Sequence, residues 1–456
     1  MTIDIVQQKY SPKDTRLNNV LGDYKVVINK IINTVNDMEV PEVQFTCVTN
    51  VKDYGAFGDG EHDDTLAIQR AIDDGLIVYL PAGLYRITSA LLLRPGIHIY
   101  GESVISTKIY VDHTGVSHDA AFKTPTSGTD MHSFSIKHLW IVFDSCSANP
   151  AIGPSAHTED IGIHLCLGPG FFLYEISDIR IGNAYWAIYD ESLGFHGRIE
   201  RVHSNRCRNG FYKWFGTSMV YDNCEVNGWH DITPNIDGYA YYLREIQGLV
   251  VQNCVCETWQ GEDIVYLKDL RQANIINLYF EDVYTKTTVT GDTRLIFVED
   301  CHGINFMGIV LWLSDFKPYN SSDADLLYIT GGNGNILGVE LLGAGGYNTC
   351  SGASTVCGAH MITFADTAQF HISGCHIEEF DPAVEYVGEI KAVKDYSYTT
   401  NILVSASYIQ SYSGATNNMT FIETNLSKFR SAGIPVSIAG LSTGDVWSDS
   451  GILNIV

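Results

Sequence analysis

The chain has 456 residues, a formal net charge of -25, and is 45% hydrophobic and 18% charged. Only 28 residues are basic and no Lys/Arg run exists, which excludes an electrostatic nucleic-acid binder, while the acidity repels anionic membranes. No stretch approaches the roughly 18 apolar residues of a membrane span, and 42 glycines with 26 tyrosines lean towards β structure with many turns.

The first residues, MTIDIVQQKY, are polar from the start, so export through a signal peptide is not expected. Leu21, Tyr24, Ile28, Ile31 and Val35 then follow a 3-4-3-4 spacing that Met38 continues, an a/d seam ended by Pro41. Either this short helix enters a small coiled-coil neck, or it packs as one amphipathic helix on its own chain. The 11 cysteines are odd in number and lack paired CxxC spacing, so they read as reduced, buried thiols.

Residues 51–103 are the most specific segment. Gly55, Gly58 and Gly60 permit tight turns. Asp63 or Asp64 can cap a helix opened by Thr65, expected near 64–74, whose apolar side is Leu66, Ile68, Ala71 and Ile72. Short strands follow: IVYL, then Pro81-Ala82-Gly83 as a turn, YRITSALLL and IHIYG. This order of Asp-Gly loop, short helix, LPAGxYxI and I-x-G resembles the N-terminal signature of pectate-lyase-like β-helix proteins, among them phage tailspikes and capsule depolymerases. The resemblance implies an all-β, right-handed, single-stranded parallel β-helix, assembled as a homotrimer.

Five windows superimpose as internal repeats: MVYDNCEVNGW from 219, LVVQNCVCETW from 249, ANIINLYFEDV from 273, GNILGVELLGA from 334 and QFHISGCHIEE from 369. Six further strand-rich segments alternate with such windows: YAYYLRE, DIVYLKD, RLIFVED, LLYITGG, HMITFAD and AVEYVGE. Repeats of about two dozen residues made of short strands mark a solenoid, in which equivalent positions stack. Cys224, Cys254, Leu278, Val339 and Cys375 fall in one such column and are expected to point inward. The chain therefore divides into a neck at 1–45, a β-helix at 46–425 and a Gly- and Ser-rich end at 426–456. That end is similar to the C-termini of phage tail and fibre proteins, which implies trimer closure; a simple hairpin is the alternative.

Stacking also pairs carboxylates. Glu257, Glu281 and Glu378 share a column, with Glu257 and Glu281 on adjacent coils, as a two-carboxyl glycosidase needs. By its place on a central coil, Glu281 resembles the catalytic carboxylate of tailspike endoglycosidases. Asp315 on the next coil is the third candidate, and Glu225 with Glu340 forms a second-rank column. Sugar faces pack on rings, which singles out Trp229, Trp259, Trp312 and Tyr241. Arg198 and Arg201, in the one locally basic stretch, are candidates for binding acidic sugars. His62, His98, His157 and His230 show no metal-ligand spacing, Asp323 and Asp325 hint only faintly at calcium, and no motif asks for a cofactor.

The reading that follows is a virion tail protein, made in a bacterial cytosol. Its partners would be capsule or O-antigen, further copies of itself, and a phage tail or baseplate protein held through the N-terminus. Endo-glycosidic hydrolysis is the expected activity. A polysaccharide lyase and a non-catalytic adhesin on the same fold are the alternatives, since fold alone does not separate them.

Overall fold

A computed structural model describes residues 48–114, 117–128, 130–143, 157–168, 170–228, 238–261, 263–285, 293–312, 324–342, 359–365, 368–377, 390–395, and short strands between 401 and 455. All of these fall in the unit Val48–Val456. The expected neck at 1–45 lies outside the described residues.

Short β-branched strands punctuated by single-residue corners wind into a parallel β-helix. The strands form a 25-stranded and a 15-stranded sheet. Within the larger one, pairing follows two separate series, so it makes two faces of the coil. Sheet I runs through Ile77–Leu80, His98–Gly101, Val220–Asp222, Val250–Gln252 and Asn274–Ile276. Sheet II runs through Gly83–Ile87, Thr107–Val111, Glu225–Asn227, Val255–Gly261 and Tyr279–Thr285. Three long strands, Ser135–Phe143, Glu175–Gly182 and Arg198–Asn205, continue through both. Sheet III, the 15-stranded one, contains Ile161–Leu165, Trp186–Asp190, Asn209–Thr217, Tyr241–Gln247, Asp263–Lys268, Thr293–Glu299 and Ala324–Thr330. Among the described strands only Val446–Asp449 and Ile452–Ile455 pair antiparallel, as a C-terminal hairpin.

The corner between sheets I and II explains the repeated asparagines. Asn223, Asn253 and Asn277 hold φ of 52°, 53° and 51°, a left-handed conformation that asparagine tolerates better than most residues. Glycine replaces asparagine at the next corners, Gly308, Gly338 and Gly374. The amides also link coils: Asn277 Nδ2 donates to Asn253 Oδ1 at 3.1 Å and Asn253 Nδ2 to Asp222 Oδ1 at 3.2 Å. Turning one residue per coil this way keeps alternation in phase, so alternate residues of each strand point inward.

Those inward residues form one core. Cys224, Cys254, Leu278, Val339 and Cys375 are all buried in a single column, with Ile309 between them. Every described cysteine is buried, and burial pushes the Cys301 thiol up to about 12. One repeat needs correction. Gly334 pairs with Phe370, not Gln369, so the last window begins one residue later than its letters suggest. The coil His302–Met307 and Val310–Trp312 also intervenes between the third and fourth windows.

At the N-terminal end the helix Thr65–Asp74 buries Ile68, Ala71 and Ile72 in the core. The two aspartates before it divide the work. Asp63 Oδ1 accepts from the Thr65 N–H at 3.0 Å, while Asp64 accepts from the N–H groups of Phe57 and Gly58 at 2.6 and 2.9 Å. Asp64 thereby fixes the loop in which Gly55, Gly58 and Gly60 all have positive φ.

Candidate active site

The outer faces of sheets II and III carry the titratable and aromatic side chains. Sheet II presents two columns. In the first, Lys108, Trp140, Arg180, His203 and Glu225 succeed one another in register, followed by Val255 and Tyr279. Lys108 Nζ lies 4.4 Å and the Arg180 guanidinium 4.6 Å from the Trp140 ring, so the indole is sandwiched between two cations. His203 Nε2 stands 3.2 Å from Glu225 Oε1 without hydrogen-bond alignment. Burial holds the His203 pKa below its usual value, against the pull of the Glu225 charge. The Trp140 Nε1, Arg180 Nε and His203 Nε2 atoms are buried without a hydrogen-bond partner, three polar atoms on consecutive coils. An open groove lined by Leu84, Ile105, Lys108, Trp140 and Val142 leads into this column.

The second column of sheet II brings Asn205, Asn227, Glu257 and Glu281 into register. Glu257 and Glu281 are direct partners on adjacent strands, whose backbones are about 4.8 Å apart. Glu257 is half-buried and Glu281 exposed. Tyr279 Oη donates to Glu281 Oε2 at 3.1 Å.

Sheet III carries an aromatic column. His164, Tyr189, Tyr212, Tyr242, Tyr266, Phe297 and Tyr328 are register partners on successive coils. Their ring centroids are 5.4, 4.3, 5.2, 4.8, 5.1 and 5.6 Å apart in that order. Beside them runs a polar column of Trp214, Arg244, Lys268 and Glu299. Glu299 accepts from Lys268 Nζ at 2.6 Å and from the Tyr266 hydroxyl. Burial, then the Glu299 contact, pushes the Tyr266 phenol well up.

The sequence candidates divide accordingly. Glu257 and Glu281 are together on one face. Asp315 and Trp229 lie outside the described residues. Trp259 pairs with Val283 and Trp312 with Leu342 through their backbones, both on sheet II. Tyr241 does not offer its ring to a ligand: alternation turns it into the core, 1% exposed, and it is Tyr242 that faces out. Arg198 and Arg201 are already matched in charge. Arg201 grips Asp178 through Nε and Nη2 at 2.7 and 2.8 Å, and both arginines contact Glu200. Asp325 pairs with Arg294 and His360 in sheet III, and Asp323 lies outside the described residues.

Sequence reasoning missed both long columns. The tyrosines were visible: YYLRE, IVYLKD, LIFVED and LLYITG align Tyr242, Tyr266, Phe297 and Tyr328 at one position. The column from Lys108 to His203 carries no such signal, because connections of unequal length separate its members.

Comparison with known proteins bears on the fold and on one segment. Residues 48–159 match the family described as rhamnogalacturonase A/epimerase, pectate lyase-like. A 72-residue stretch is 46% identical to mannuronan C5-epimerase AlgE2 of Azotobacter vinelandii, covering 13% of this chain and 7% of the epimerase. Another, of 110 residues, is 38% identical to alginate lyase 7 of the same organism, covering 20% of this chain and 12% of the lyase. Thus the chain spans only a small part of the curated relatives it matches. Among solved structures, DFA-IIIase from Arthrobacter chlorophenolicus A6 aligns with a TM-score of 0.54 at 13% identity, over 79% of this chain and 94% of that one. The N-terminal fragment of bacteriophage Phi29 gene product 12 aligns with a TM-score of 0.52 at 12% identity, over 90% and 75%. The two Azotobacter relatives have the names of polysaccharide-acting enzymes, and the fold of this chain is a pectate-lyase-like parallel β-helix.

Proposed function

We propose that this chain is a phage tailspike that binds a bacterial surface polysaccharide, capsule or O-antigen, and cuts it by endo-glycosidic hydrolysis. The observation that carries the reading is the registered pair Glu257 and Glu281 on the outer face of sheet II. Two carboxyl groups on neighbouring coils suit the acid and the base or nucleophile of glycoside hydrolysis. Tyr279, donating to Glu281, orients one of them. The apolar groove beside Trp140 and the outer edges of the sheet III tyrosines line surface for an extended glycan. Homotrimer formation, attachment to a tail or baseplate protein through residues 1–45, and residence on the virion tail belong to the same proposal.

One observation favours a second reading, a polysaccharide lyase. Lys108 and Arg180 flank Trp140, and His203 follows on the next coil. Cations beside a neutral imidazole suit a uronate, whose carboxylate must be neutralised before a proton leaves the adjacent carbon. The 110-residue similarity to alginate lyase 7 points the same way.

The test is the chain length of purified capsules and O-antigens before and after incubation with the full chain. A shift to short oligosaccharides on one polymer is expected. An unchanged distribution across a broad panel, with binding intact, would reduce the protein to an adhesin.

A further inference from the structure

Away from these columns, two segments distant in sequence bring three side chains together. His113 and His118 follow the strand Thr107–Val111, and Asp160 immediately precedes the strand Ile161–Leu165. His113 Nδ1 lies 2.9 Å and His118 Nδ1 2.7 Å from the same oxygen, Asp160 Oδ1. The possible ligand atoms of the three residues all lie within 4.8 Å of one another. His113 and Asp160 are buried, at 3% and 0% exposure, while His118 is partly open to solvent. His157 stacks on His118, with ring centroids 3.5 Å apart.

We propose that His113, His118 and Asp160 form a site for a divalent transition-metal ion of the zinc class. Two imidazoles and one carboxylate are borderline donors, suited to zinc and its neighbours and poorly suited to calcium, which takes oxygen ligands. Tetrahedral bonds of about 2.0–2.1 Å place ligand atoms roughly 3.3 Å apart. Each imidazole nitrogen therefore withdraws from Asp160 Oδ1 by about half an ångström. In that arrangement His113 and His118 would ligate through Nδ1, the nitrogens that face Asp160.

The backbone around Asp160 is held firmly. Its N–H donates to the His157 carbonyl at 3.0 Å, and its carbonyl accepts from the Tyr185 N–H at 2.7 Å. A bound ion would therefore tie the connection after Thr107–Val111 to the one entering Ile161–Leu165. His164, which opens the outer column of sheet III, lies on that second strand. The metal is structural in this reading: it fixes two connections between sheets II and III and has no assigned part in the chemistry.

The experiment uses the full chain, stripped with a chelator and dialysed, and titrated with zinc chloride by calorimetry. Melting temperature is recorded in parallel. Binding of about one zinc per chain, with a raised melting temperature, is expected. His118→Ala is the informative variant, because its side chain is partly exposed and its loss leaves the core intact. It should keep the melting temperature of the stripped protein yet bind zinc more than about 100-fold less tightly, since even outer-shell losses cost roughly 10–100-fold. Asp160→Asn should lose binding as well. Absence of micromolar zinc binding in the unaltered chain, or equal binding by His118→Ala, would overturn the site and leave a hydrogen-bonded histidine–aspartate cluster.

Discussion

Glu257 and Glu281 face each other across one step of the coil, as register partners on adjacent strands of sheet II, with the Tyr279 hydroxyl on the second of them. If these carboxyls cut a glycan, each single change to glutamine removes one proton-transfer partner. Glu257→Gln and Glu281→Gln should each lower the rate of reducing-end release by roughly 10²–10⁴-fold. Circular dichroism should be unchanged, because neither side chain serves the core. Full activity in Glu281→Gln would remove that residue from the mechanism.

The aromatic column makes a separable prediction about binding. Tyr242 and Tyr266 are neighbours on the outer face of sheet III, with ring centroids 4.8 Å apart and planes tilted by 54°. A ring contact is worth about 0.5–1.5 kcal/mol, so Tyr242→Ala or Tyr266→Ala should weaken oligosaccharide binding roughly two- to tenfold. Calorimetry with released fragments measures this directly. Unaltered affinity in both variants would place the glycan elsewhere.

Much of this fold was legible because its signals are local. The cysteine column and the Glu257–Glu281 pairing follow from the alignment of short windows, since each coil repeats the same turn chemistry. Legibility failed where the repeat changes length. The last repeat is offset by one residue at Gln369 because the corner glycines Gly338 and Gly374, and not the similarity of letters, set the register. Tyr241 and Tyr242 are distinguished only by the phase of the strand, which composition and spacing do not fix. His118 and Asp160 are 42 positions apart and His113 and Asp160 are 47, so no local motif announces their meeting. Likewise the arginines at 198 and 201 read as free charge until Asp178, one coil away, is placed against Arg201.

Beneath sheet III lies an ion pair sealed in the core. Lys213 and Asp190 are both 0% exposed, with Nζ 2.8 Å from Oδ1. Lys213 Nζ also donates to the Ser192 carbonyl at 2.7 Å, and Tyr174 Oη donates to Asp190 Oδ2 at 2.6 Å. Burial lowers the Lys213 pKa, and the Asp190 charge opposes that shift. Lys213→Met strands a buried carboxylate and should cost about 3–5 kcal/mol of stability in denaturant unfolding. Adding Asp190→Asn should recover part of the loss. Losses that simply add would mean the pair is not coupled.

His203 sets a pH dependence of known sign. Burial holds its folded pKa below the usual imidazole value; Glu225 opposes this and Arg180 reinforces it. The unfolded residue takes up its proton near pH 6.5, the folded one only at lower pH. Acidification through that interval therefore favours the unfolded chain. Its contribution should be complete above about pH 6.5 and decline as the pH falls towards the folded pKa. Melting temperatures between about pH 7.5 and 5 should show a step that His203→Gln flattens. An identical profile in the variant would assign the step to other groups.

The central claim is that this solenoid hydrolyses a bacterial surface polysaccharide with a carboxylate pair. Its most direct test is the mass of the oligosaccharides released from a susceptible capsule or O-antigen. Hydrolysis predicts fragments that carry one added water for every bond cut, and their disappearance with Glu281→Gln. Fragments lacking that water and bearing a new double bond would contradict the account, and would move the chemistry to the column of Lys108, Arg180 and His203.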